Sequence, residues 1–140
     1  MINGGDAAEQ LVKLELEGVQ VAAKITGSAA KNVAALIMSI IKQQHKTKGA
    51  ANLAAMWKTG KVQTVFDLPY KDLKNFAQEA KRYGVMYCVI KDPKIVYGDN
   101  TPVAIDIFKD DVEKVNRIVD NLKLITVDKA EIEPELQNAV

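Results

Sequence analysis

Lys42, Lys46, Lys48, Lys58 and Lys61 fall within Ile41 to Val62, a stretch that also holds His45 and contains no acid. Ammonium groups gathered in this way can neutralise several phosphates at once, giving salt-sensitive and sequence-indifferent contact with nucleic acid. They can equally guide a protein partner by charge. Lys81 and Arg82, next to each other further along, are candidates for the same surface. The same charges also fit a solvated loop with no partner. Phe66, Tyr87 and Phe108 stand on strand-like segments and could add stacking for a single strand. The aromatic-rich signature of an RNA-recognition sheet is missing, and the chain as a whole carries a net charge of only +1.

Other reactive side chains are isolated. Cys88 has Val and Tyr as neighbours and reads as a small core residue, since reactive thiols need a polar and partly exposed site. The one histidine, His45, sits among lysines near a helix end and reads as a surface residue. Asp106 is the only charge on an apolar strand. Alternation puts Val103, Ile105 and Ile107 on one face and Ala104, Asp106 and Phe108 on the other, so Asp106 is expected on the open face of a sheet. No second acid or histidine is placed beside it to complete a general acid–base pair. Phosphate-loop and dinucleotide glycine motifs are lacking, and one histidine cannot supply the usual zinc cluster. The expectation is a protein that is not an enzyme and needs no metal or cofactor.

Composition bounds the rest. The chain has 140 residues, 48% of them apolar and 26% charged, as in an ordinary globular protein of about one domain. A single cysteine excludes an internal disulfide. The first residues lack the blocks of a signal peptide, and Val33 to Ile41 is too short to span a bilayer. A cytoplasmic location without membrane insertion follows as an expectation.

The periodicities place these residues on elements. Residues 1–10 read as a flexible lead-in. Residues 11–25 alternate around Gly18 as a strand or bent hairpin would, and also fit a helix with Leu11, Leu14, Gly18, Val21 and Ile25 on one face. Ser28 is a candidate N-cap for a helix buried through Ala30, Val33, Ile37, Ile40 and Ile41. Ala50 to Lys58 is a short helix with Leu53, Met56 and Trp57 on one side, and Trp57 reads as a packing residue. Lys61 to Phe66 is a strand. The next helix carries Leu73, Phe76, Ala77, Ala80 and Tyr83 inward and stops at Gly84.

Val85 to Ile90 is continuously apolar, which predicts a central strand buried on both faces. Val103 to Phe108 is a strand. Asp110 and Glu113 resemble a capping box for a helix with Val112, Val115, Ile118, Val119 and Leu122 inward. Leu124 to Val127 closes as a short strand, and residues 128–140 read as an acidic, mobile tail. The expected fold is α+β. An N-terminal strand and helix segment, residues 11–60, precedes a ferredoxin-like, split-βαβ unit with an antiparallel sheet, residues 61–127.

Four segments together resemble the PcfB family: Ala29-Ala-Lys-Asn-Val-Ala-Ala-Leu36, Lys46-Thr-Lys-Gly49, Glu79-Ala-Lys-Arg-Tyr-Gly-Val-Met-Tyr-Cys-Val-Ile-Lys-Asp92 and Asp111-Val-Glu-Lys-Val-Asn-Arg-Ile-Val119. The resemblance spans roughly residues 6–128. Such proteins are encoded on conjugative plasmids and integrative conjugative elements of Gram-positive bacteria. It implies a non-enzymatic accessory or adaptor role in conjugative DNA transfer by type IV secretion, with the coupling ATPase or relaxosome proteins as partners and DNA as a further contact. Around Ala50-Ala-Asn-Leu53 the chain is less basic than the family pattern, which weakens a nucleic-acid surface there. A direct single-stranded nucleic-acid binder and a small-ligand-binding regulatory domain are the other function classes. The latter rests on fold analogy alone.

Overall fold

A computed structural model describes residues 9–16, 19–42 and 49–136. The alternating residues at the start form a hairpin of two strands, β1 (Gln10–Leu16) and β2 (Val19–Thr26). Gly27 then turns the chain at φ +115°, and a Cβ there would meet the Lys129 carbonyl at 2.9 Å. Only glycine fits such a turn and approach. Helix α1 (Ala30–Lys42) follows, its entry held by backbone bonds from Ala30 N–H to Gly27 O and from Ala29 N–H to Lys129 O. Helix α2 (Gly49–Trp57) ends where Thr59 Oγ1 donates to Met56 O at 2.7 Å and Gly60 turns at φ +74°.

Strand β3 (Gln63–Pro69) leads through a 3-10 turn into α3 (Leu73–Arg82). The α3 terminus is a full Schellman motif. Gly84 lies at φ +70°, its N–H donates to Lys81 O, and Val85 N–H donates to Ala80 O. Buried Val85 and Ala80 make the apolar contact such a stop requires. Then come β4 (Tyr87–Ile90), β5 (Pro102–Phe108), a second 3-10 turn and α4 (Val112–Leu122). The capping box expected at Asp110 does not form: Asp110 lies in the 3-10 turn, and no side-chain bond caps the helix.

All strands pair antiparallel in one six-stranded sheet, ordered β1-β2-β6-β3-β5-β4, where β6 is Val127–Leu136. Two expectations are corrected here. Residues 128–136, read as the first part of an acidic tail, form most of an inner strand. Ala130, Ile132 and Pro134 face the core while Glu133 and Glu135 face out. Pro134 is tolerated because its one partner is Ala23 of β2, β3 having ended at the Gln63–Ile132 pair. Val85–Ile90, expected in the centre, is at the sheet's edge, and its strand covers only Tyr87–Ile90. Helices cover both faces of that edge, so its side chains are apolar for a reason other than central position.

The layers follow the alternation. One face of the sheet, with Val21, Ile25, Val65, Cys88, Ile90 and Ile132, packs on Ala30, Val33 and Ile37 of α1 and Leu53, Met56 and Trp57 of α2. The opposite face, with Phe66, Leu68, Val103, Ile105 and Ile107, packs on Phe76 and Ala80 of α3 and Val115 and Ile118 of α4. Among the described residues no helix is long and apolar enough to cross a membrane.

Candidate partner-binding site

Edge strand β4 has β5 on one side only. Alternate residues therefore turn their N–H and C=O groups away from the sheet, where a further strand could pair. This edge opens into a groove of about 810 Å³. Val85, Met86, Tyr87 and Val89 line its floor, Asn52 of α2 stands on one side, and α3 forms the other wall. Because α3 buries Phe76 and Ala80, the neighbouring stripe at i, i+3, i+4 and i+7 is left for the groove: Lys74, Ala77, Gln78 and Lys81. Met86 is 55% exposed there. No acid lines the groove among the described residues.

The residues expected to form a basic surface divide. Lys81 lines the groove, and Arg82 is next to it, 3.8 Å from Glu79. Lys58 and Lys61 are exposed beside the start of β3, with the Lys61 ammonium 5.6 Å from the Phe108 ring centroid. The registers put the start of β3, the end of β5 and the start of β4 at one end of the sheet, so Lys58, Lys61, Lys81 and Arg82 share that end. Lys42 is the last residue of α1. Lys46, Lys48 and His45 lie outside the described residues. Lys74 was not among the expected residues: it stands outside the acid-free stretch and, unlike Lys81 with Arg82, has no basic neighbour in sequence. Its signal is its seven-residue spacing from Lys81, two turns along one helix.

The proposed stacking platform does not assemble. Phe66 is buried under α3, edge-on to Phe76 at 5.7 Å, and Tyr87 meets Phe76 edge-on at 5.7 Å. Phe108 is on the opposite face of the sheet. A smaller cavity of about 420 Å³ lies between α1 and the 91–101 loop, bordered by the Lys129–Asp67 ion pair at 2.8 Å.

Asp106 also departs from expectation. It is fully buried under the α1 and α2 layer, not on an open face, because those helices cover the side of β5 it occupies. Burial raises its carboxyl well above the usual 3.8. Among the described residues neither of its oxygens has a hydrogen-bond partner, nor do Trp57 Nε1 and Gln63 Oε1. Cys88 lies across from it in the ladder, and burial, then the Asp106 charge, push its thiol up to about 12. Cys88 is thus buried and unactivated, and Trp57 packs in the core. Among the described residues no group of three or more His, Cys, Asp or Glu side chains could hold a metal ion.

Comparison with known proteins finds no match among curated proteins and none among solved structures. One family model does match, over residues 30–139, which takes in everything from α1 to the end of β6. The chain belongs to the family described as protein of unknown function (DUF3801).

Proposed function

We propose that this protein is a non-enzymatic binding module that holds a partner protein in the groove at the β4 edge. The observation that carries this reading is a strand edge left open between two helices, with exposed Met86 and two lysines at its rim. Its resemblance to PcfB proteins supplies the setting: a cytoplasmic adaptor in conjugative DNA transfer that engages the coupling ATPase or relaxosome proteins. Residues 63–136 are then a split-βαβ unit with α3 and α4 on one face, and the hairpin with α1 and α2 is an addition that covers the other. Building this groove takes both parts, since Asn52 of α2 faces the α3 stripe across it.

Direct contact with single-stranded DNA is the second reading. The lysines gathered at one end of the sheet support it, and the buried aromatic rings count against stacking. The test is capture by the tagged chain from cells carrying a whole conjugative element, probed for the coupling ATPase and the relaxase, with and without nuclease. Capture that survives nuclease supports the adaptor. Capture lost with nuclease, together with binding of a short oligonucleotide, replaces it with the nucleic-acid reading.

A further inference from the structure

We infer that the occupant of the groove is an extended, acidic segment of the partner that adds to β4 as a seventh strand. This rests on the groove being the binding site. The floor is a strand edge, so its pairing groups are spaced for another backbone, about 4.8 Å away. Natural sheets guard such edges with charges, bulges or prolines. Tyr87–Ile90 has no charge, no proline and no irregularity in its pairing with β5. Its charges stand instead on the α3 wall, where Lys74 and Lys81 attract an acidic strand and repel a basic one.

An added strand would send alternate side chains toward α3 and toward α2. Those toward α3 meet Lys74 and Lys81, which lie about 10 Å apart along the helix. Three successive same-face residues of a strand span about 13 Å. The segment should therefore carry acids at two of three alternate positions. A second copy of this chain fits poorly. Pairing β4 with β4 brings two lysine-rimmed edges together, and β1 offers one acid, Glu15, against one base, Lys13.

The test uses the full chain and a displayed library of random dodecapeptides, with a Lys74→Glu/Lys81→Glu variant for counter-selection. Both lysines are exposed, so the variant is expected to fold, which circular dichroism checks. Selected peptides should carry alternate acids and lose about tenfold or more in affinity on the variant. N-methylation of alternate backbone amides in one register should abolish binding while the other register tolerates it. Hydrogen exchange at the outward-pointing amides of Tyr87–Ile90 should slow in the complex.

Three outcomes overturn the inference: no selected peptide, indifference to N-methylation in both registers, or a stable dimer whose β4 edge is protected before any peptide is added. If peptides fail in any of these ways but the lysine reversal still releases the coupling ATPase, strand addition is wrong and the groove remains the site. If neither reports on the groove, the reading of the groove falls as well.

Discussion

The two faces of the sheet bury different chemistry. Under α3 and α4 every fully buried side chain described is apolar, with Phe66 and Phe76 meeting edge-to-face at the centre. Under α1 and α2 lie the three buried polar side chains of the described residues, Gln63, Asp67 and Asp106, together with the Trp57 indole. Only Asp67 has a charged partner, Lys129, whose extra position in β6 comes from the register shift opposite Val65 and Phe66. A buried polar group without a hydrogen bond costs about 1–3 kcal/mol. Among the described residues the α3 and α4 face carries no such cost. The α1 and α2 face is held against an internal cost, much of it beneath α2. The groove lies where the two layers meet, with one wall from each.

The largest test of this contrast is Phe76→Ala. Full burial of Phe76 predicts a loss of about 3–5 kcal/mol, read from urea unfolding. Trp57→Phe on the other face keeps an aromatic ring and removes an unpartnered N–H, so it should cost clearly less. A cost for Trp57→Phe as large as that of Phe76→Ala would show that the indole N–H is no burden on its face.

Asp106 gives a pH signature. Its folded value is raised, so the folded protein holds a proton that the unfolded chain releases near 3.8. The stability this confers is fully present below 3.8 and is lost as pH rises toward the folded value. Relative to Asp106→Asn, the wild type should lose up to about 1.4 kcal/mol per pH unit in that window. Parallel unfolding profiles of the two proteins from about pH 4 to about pH 8 would show that Asp106 does not retain its proton. The smallest effect concerns Cys88 beside it. A thiol at about 12 in place of 9.0 holds about a thousandfold less thiolate at a given pH, and it is buried as well. Labelling by a thiol reagent should wait for unfolding, and rapid labelling of the native protein would place Cys88 outside the core.

Much of the fold was legible where one period dominates. The α3 stripe of Phe76 and Ala80 with its stop at Gly84, and the α4 stripe of Val115 and Ile118, follow from helical spacing alone. Strand alternation favoured a strand or bent hairpin before α1, and β1 and β2 form a hairpin. β6 was hidden because Glu131, Glu133 and Glu135 alternate with Ala130, Ile132 and Pro134, and a proline among acids reads as a tail. β4 was misplaced because an apolar run does not report strand order: one face of this edge is buried at Cys88 and Ile90, while Tyr87 and Val89 on the other are only half-buried and line the groove. The groove was half legible. Lys81 drew notice through its charge, but its pairing with Lys74 beside an open strand depends on tertiary placement that no local pattern encodes.

On the proposed reading, partners dock at the β4 edge and not on the basic stretch of residues 41–62. Two charge reversals separate these directly, measured as binding of the purified coupling ATPase in nuclease-treated solution. Lys74→Glu/Lys81→Glu should abolish binding, and Lys58→Glu/Lys61→Glu, at the same end of the sheet but outside the groove, should leave it largely intact. Loss of binding in the second variant with retention in the first would contradict the account.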